Sequence, residues 1–141
     1  AWINGHTHVN TIVAHSRPDG TGGFWEITTA AVIDFPQQQQ LIEIVDNRDG
    51  TISLFVTALD HASDPTWTEG DFSNVGLASL SREFSANDWV QNPVMRRGSP
   101  LDRNTELLLP APFDMSRITD ATVESVTMAA RARLIKAGVE S

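Results

Sequence analysis

A pair of histidines near the start of the chain has the residue types and spacing best suited to chemistry. An apolar stretch leads through Gly5 into His6-Thr7-His8. Glycine permits a tight turn, and at the bend between a strand and a loop, residues two apart diverge enough to reach neighbouring ions. Neutral imidazole binds Zn, Fe and Mn ions. The pattern therefore favours a metal-binding role for His6 and His8 over the alternative of two loop histidines without a ligand.

The composition limits the classes of partner. The 141 residues are 40% hydrophobic and 20% charged, which is typical of one folded domain. The formal net charge is −8, and the largest basic clusters are Arg96-Arg97 and the spaced Arg131, Arg133 and Lys136. We therefore expect that the chain does not bind nucleic acid and does not bind a membrane surface through electrostatic attraction. The lack of cysteine excludes disulfides and thiolate metal sites, and no apolar run approaches the roughly 20 residues of a membrane span.

The first 60 residues have the alternation and turn residues of β-structure. Strands are predicted at residues 9–15 and 24–29, and a hairpin at residues 40–45 and 51–59 encloses a loop that ends at Gly50. In the second hairpin strand one face is apolar and the other polar, which predicts one buried face. The apolar residues are Ile52, Leu54, Val56 and Ala58, and the polar ones are Thr51, Ser53 and Thr57.

The second half of the chain has helical periodicity. After a loop at residues 61–72, a helix is predicted at about residues 74–86, capped by Ser73 or Asn74. Residues 92–105 are expected to be irregular, and residues 107–109 a short buried run. A last helix is predicted at about residues 119–137, with Thr119 as its cap. Its apolar stripe, expected to be core or interface, consists of Val123, Val126, Ala130 and Leu134.

Several segments together resemble a known family. Residues 2–8 resemble the last metal-binding motif of the calcineurin-like metallophosphoesterases. A narrower, largely actinobacterial group of that family is similar over about residues 2–110, at residues 23–27, 33–38, 49–53, 77–83 and 103–109. The resemblance implies an α+β chain that is the C-terminal half of a layered α/β fold, with antiparallel hairpins in residues 2–59 followed by two main helices. Residues 1–112 would belong to the metallophosphoesterase domain and residues 113–141 to a helical extension.

The resemblance also implies an activity. Such enzymes hydrolyse phosphoric esters with two ions of the Mn, Fe or Zn class about 3.5–4 Å apart, and by analogy His6 would bind one ion and His8 the other. The family's other motifs, Asp-x-His, Gly-Asp-x-x-Asp and Gly-Asn-His-Asp/Glu, are absent from the 141 residues. We therefore expect a C-terminal fragment that is inactive alone and holds at most one weakly bound ion. Its partners would be the missing N-terminal part or a second copy, with a phosphoester as substrate of the complete enzyme.

Three other polar residues, Asp34, Asn10 and His15, are candidate supports for this site. Asp34 and Asn10 are either groups that orient the ligands or ordinary turn and strand-end residues. His15 and His61 are expected to be exposed or hydrogen-bonded for structural reasons.

A second function of another class stays open at this point. The chain would be a non-enzymatic, β-rich interaction module with an incidental His-x-His. Tryptophan is a common contact residue, although it is usually partly buried in a core. The candidate contact residues are Trp2, Trp25, Trp67 and Trp89.

Overall fold

The computed structural model describes residues 1–91 and 93–136, and the side chains of residues 1–90 and 95–129. Over that part the chain is α+β, as predicted, with two small sheets and two helices of more than three turns. The strands are β1 (Trp2–Asn4), β2 (Thr11–Ser16), β3 (Gly23–Thr28), β4 (Gln38–Asp46), β5 (Thr51–Asp60) and β6 (Asn104–Pro110). The helices are α1 (Asn74–Asn87), the single turn α2 (Pro93–Arg96) and α3 (Asp120–Lys136).

The first sheet has the order β1-β3-β2 and carries the histidine pair at one end. Strand β2 is antiparallel to β3, with Thr11 opposite Thr28, whereas β1 runs parallel to β3, with Asn4 opposite Thr28. The prediction of antiparallel hairpins throughout residues 2–59 is therefore wrong for β1. The reason is that β1 joins the edge of β3 that β2 leaves free, so the chain must cross over between β1 and β2. Gly5, His6 and His8 lie in that connection.

The second sheet has the order β4-β5-β6, and β4 and β5 confirm the predicted hairpin. Leu54 and Val56 of β5 are buried, as predicted. Ser53, on the face predicted to be polar and open, is also fully buried and donates a hydrogen bond to Glu106 Oε1 at 2.6 Å. The prediction of a single buried face is therefore wrong at Ser53, because the β6 carboxylate covers it.

Strand β6 replaces the buried run predicted at residues 107–109. Leu107 is buried, but Leu108 is 57% exposed. Side chains alternate between the faces of a strand, so neighbouring leucines cannot both enter the same core. The predicted irregular segment also contains α2 and a 3-10 turn at Pro100–Asp102.

Both long helices begin where their capping residues predicted. The Ser73 hydroxyl accepts the Gly76 N–H at 3.1 Å, and the Thr119 hydroxyl accepts the Thr122 N–H at 3.2 Å. The apolar stripe of α3 is not core at its first two positions, because Val123 and Val126 are exposed. Its other two members, Ala130 and Leu134, and the predicted helix end at residue 137 lie outside the described side chains and residues. Among the described residues, no helix has the length and apolar character needed to cross a membrane.

The chain divides into two compact units. The first comprises Ala1–Val45 and Ser53–Leu108, and its buried apolar residues are Ile27, Ala30, Leu54, Val56 and Leu107. The second comprises Asp46–Ile52 and the chain from Leu109 onward. Within the second unit, the Ala111 N–H donates to the Gly50 carbonyl at 2.8 Å. The division of the domains between residues 112 and 113 stays a prediction.

Candidate metal site

The loop that follows β1 holds both histidines in an uncommon backbone conformation. His6 has φ of 77° and His8 has φ of 57°, in the left-handed region that residues other than glycine rarely adopt. The Thr7 N–H donates to the Gly5 carbonyl at 3.0 Å, and the Thr29 N–H donates to the Asn4 carbonyl at 3.0 Å. Residues in such conformations persist where the surroundings impose them, and they cluster at functional sites. The loop geometry therefore supports a role for this pair.

His8 is oriented by a carboxylate from a distant part of the chain. Its Nδ1 atom lies 2.8 Å from Asp34 Oδ2, and the Arg96 guanidinium contacts the same oxygen. The side chains of His8, Asp34 and Arg96 are 34%, 19% and 20% exposed. Because Nδ1 is engaged by Asp34, Nε2 is the ring nitrogen that is free to coordinate a metal ion. A carboxylate that holds the second ring nitrogen in this way is the usual support of a metal-binding histidine.

The local electrostatics keep Asp34 ionised. Partial burial favours the neutral acid, but hydrogen bonds from His8 and Arg96 and the positive charge of Arg96 outweigh it, so the pKa of Asp34 lies below its ordinary value. Its other oxygen, Oδ1, is buried without a hydrogen-bond partner among the described residues. The carboxylate therefore engages His8 and Arg96 through Oδ2, which is consistent with an orienting role, and the Asp34 carbonyl also accepts the Gln37 N–H of a turn at 2.8 Å.

The described residues complete only part of a metal site. The His6 side chain is exposed, and the described structure gives it no polar partner. No group of three or more histidine, aspartate or glutamate side chains lies close enough together, within the described chain, to hold a metal ion. Tetrahedral sites take three or four protein ligands. A metal centre at His6 and His8 would therefore need ligands beyond those that the described residues bring together.

Asn10 lies at the end of β2, immediately before Thr11, and its side chain is buried and hydrogen-bonded. It is fully buried; its Oδ1 accepts the Ala30 N–H at 2.9 Å and its Nδ2 donates to Gln38 Oε1 at 2.8 Å. Its backbone N–H donates to the Arg96 carbonyl at 3.0 Å. Asn10 therefore links the segment at residues 30–38 to the segment at Arg96 and Arg97.

The remaining histidines are hydrogen-bonded for structural reasons, as predicted. His15 Nε2 lies 2.7 Å from Glu26 Oε2, and its ring stacks on Phe24 at 4.7 Å between centroids. The hydrogen bond from His15, with a second one from Asn4, lowers the pKa of Glu26. His61 contacts the Ser63 hydroxyl through Nδ1.

Sequence reasoning missed Arg96 as a member of the site. It follows Asp34 by 62 residues, so no local spacing links the two. The only signal was its membership of the Arg96-Arg97 pair, which bears on net charge and not on this contact.

The chain matches no family model, and no curated protein or solved structure is significantly similar to it. The resemblance to metallophosphoesterases therefore rests on the segments quoted from the sequence.

Proposed function

We propose that this chain is a C-terminal part of a dinuclear metallophosphoesterase, to which His6 and His8 each contribute one imidazole ligand. The observation that carries the proposal is the hydrogen bond between His8 and Asp34, together with the left-handed backbone of both histidines. An incidental His-x-His in a surface loop has no need of a partly buried, ionised carboxylate behind one ring.

In the proposed hydrolysis of a phosphoric ester, the metal ions and the side chains of this chain have different roles. When bound, two ions supply a hydroxide nucleophile and clamp the phosphoryl oxygens. His6 and His8 present ring nitrogens, Asp34 fixes the ring of His8, and Arg96 fixes Asp34. Because Asp34 Oδ2 is engaged by His8 and Arg96, carboxylates other than Asp34 would be needed to neutralise the ions. The chain alone is then inactive and binds at most one ion weakly.

The edge of the first sheet supports association with the rest of such an enzyme. Strand β1 is an edge strand, and its Trp2 and Ile3 are 60% and 54% exposed. An open strand edge is a template for pairing with another strand. Leu54 and Val56 of β5 are buried, so the apolar face of the second sheet is not open at those two positions. We propose β1 as the edge that the missing N-terminal part, or a second copy, covers.

The interaction module is the second candidate, and the exposure of two tryptophans favours it. Trp2 is 60% exposed and Trp89 is 88% exposed. The indole N–H groups of the other two, Trp25 and Trp67, donate to the carbonyls of Leu108 at 3.3 Å and Asp71 at 2.8 Å. Trp2 and Trp89 are therefore the candidate contact residues of such a module, and Trp25 and Trp67 are held by the chain itself.

A titration with Mn²⁺ followed by NMR distinguishes the two candidates. Mn²⁺ is paramagnetic and broadens the resonances of the imidazoles that bind it. The metallophosphoesterase proposal predicts that His6 and His8 broaden first and that His8→Ala weakens the effect. His15→Ala, which removes a histidine bound to Glu26, is the matched control and should leave it unchanged. Equal broadening of all four histidines, or stronger broadening at His15 or His61, would contradict the proposal.

A further inference from the structure

A pocket of about 390 Å³ in the first unit is lined by three arginines that the proposed metal site does not use. Arg82 comes from α1, Arg97 follows α2, and Arg103 immediately precedes β6. Phe35 and Pro36 form part of the wall. Small-molecule sites commonly have volumes of about 300–1,000 Å³, so the pocket has room for a small charged ligand.

The three guanidinium groups are positioned by neutral partners. Arg82 Nη1 donates to the Ser63 carbonyl at 2.8 Å, and Arg103 Nε donates to the Ser99 carbonyl at 3.3 Å. Arg97 lies over the Phe35 ring, 5.4 Å from its centroid. Arginine has five N–H donors in a fixed plane, so each group keeps donors beyond those that these contacts use.

Within the described residues, none of these three arginines forms an ion pair with a carboxylate, and Arg96 is the arginine that does. Asp60 is the one carboxylate on the pocket wall, and it accepts a hydrogen bond from Gln38 Nε2 at 2.8 Å. Asp102 acts on Arg103 electrostatically, but it does not line the pocket and already accepts the Ile12 N–H at 2.8 Å. Three arginines against Asp60 and the nearby Asp102 leave the pocket with a net positive charge, in a chain whose net charge is −8.

The backbone that carries Arg97 is fixed by a close contact. A Cβ atom on the neighbouring Gly98 would lie 2.3 Å from the Asn10 carbonyl oxygen, so only glycine fits there. Asn10 Nδ2 also donates to the Arg97 carbonyl at 3.4 Å. The cationic wall is therefore built on segments that are held in place before any ligand arrives.

We propose that this pocket binds the phosphate dianion of a small phosphorylated molecule. The net positive charge of the pocket favours an anion, and the oxygens of a tetrahedral phosphate can accept hydrogen bonds from guanidinium groups on several sides. None of the residues that line the pocket is His6, His8, Asp34 or Arg96, and the proposal goes beyond the proposed phosphoesterase function because binding here requires no metal ion.

Isothermal titration of the 141-residue chain with inorganic phosphate and with phenyl phosphate, at low ionic strength and in EDTA, tests the proposal. Both probes should bind, and Arg82→Gln, Arg97→Gln and Arg103→Gln should each weaken binding about tenfold, since a charge-assisted hydrogen bond is worth about 1.4 kcal/mol or more. Arg117→Gln makes the same change of charge at an exposed position in the second unit and should bind like the wild type. Arg97→Lys, which keeps the charge, should bind more tightly than Arg97→Gln.

Four other outcomes would overturn the proposal. Equal affinity of the three pocket variants and Arg117→Gln would place the anion elsewhere, and a folded wild-type chain that binds neither probe would rule out the pocket. Succinate binding as tightly as phosphate would mean a site for carboxylates. Loss of phosphate binding in a His6→Ala/His8→Ala variant would assign the anion to the histidine loop. Retention of binding in that variant supports the pocket, whatever the outcome for phosphoesterase activity.

Discussion

The Nδ1 atom of His8 lies 2.8 Å from Asp34 Oδ2, although the two residues are 26 positions apart in the sequence. This contact joins the loop after β1 to the turn before β4, and Arg96 closes it from a third segment. The imidazole orientation is therefore a property of the tertiary fold rather than of the Gly-His-x-His motif itself.

Removing the Asp34 charge should destabilise the chain. In Asp34→Asn the side chain keeps its shape, but His8 and Arg96 lose an ionised acceptor in a mostly buried place. Hydrogen bonds to charged groups contribute about 1.5–3 kcal/mol, so we expect the free energy of unfolding in urea to fall by about that amount. Asp64→Asn is the matched control, because Asp64 is exposed in a loop. Equal stability of both variants would mean that the His8–Asp34–Arg96 contact is too weak to orient the ring.

The same contact should make stability depend on pH in acid. The pKa of Asp34 is lower in the folded chain, because its hydrogen bonds to His8 and Arg96 outweigh the effect of burial. Its contribution is then complete above the ordinary aspartate value of about 3.9 and is lost as the pH falls through the lower folded value. The difference in unfolding free energy between wild type and Asp34→Asn should shrink from about pH 5 to about pH 3. A difference that stays constant over this range would show that Asp34 does not titrate as described.

Gly98 and Gly20 have almost the same φ, and comparing them tests the close packing of Gly98 against the Asn10 carbonyl, next to Arg96 and Arg97. Gly98 has φ of +71° with the Asn10 carbonyl in the way of a Cβ, whereas Gly20 has φ of +72° with nothing within 4 Å. Gly20→Ala should cost only the backbone strain, about 1–2 kcal/mol. Gly98→Ala should cost about 1–3 kcal/mol more, because of overpacking. Urea unfolding of both variants measures the difference, and equal losses would show that the segment at Gly98 moves freely.

Local signals in the sequence predicted the local structure. The loop ending at Gly50 marked the β4–β5 hairpin, and Ser73 and Thr119 marked the starts of α1 and α3, because turns and caps depend on a few neighbouring residues. The parallel pairing of β1 with β3 and the entry of β6 into the second sheet depend on packing between distant segments, which no short pattern specifies.

In the candidate site, too, the sequence indicated the local features but not the contacts between distant segments. His6 and His8 stood out by their spacing, and Asp34 and Asn10 were recognised as candidate supports without a way to choose between their possible roles. The choice depends on contacts such as Arg96 with Asp34 across 62 residues. The burial of Asn10, which requires its polar atoms to be satisfied within the protein, is likewise a property of the tertiary fold.

The most direct test of the account is hydrolysis of an aryl phosphate or phosphodiester by the product of the complete reading frame that contains these 141 residues, assayed with Mn²⁺, Fe²⁺ or Zn²⁺. The account predicts metal-dependent turnover, a loss of at least about a hundredfold in His6→Ala and in His8→Ala, an unchanged rate in His15→Ala, and no turnover by the 141-residue chain alone. Turnover that persists in the His6→Ala and His8→Ala variants, or robust turnover by the 141-residue chain on its own, would contradict it.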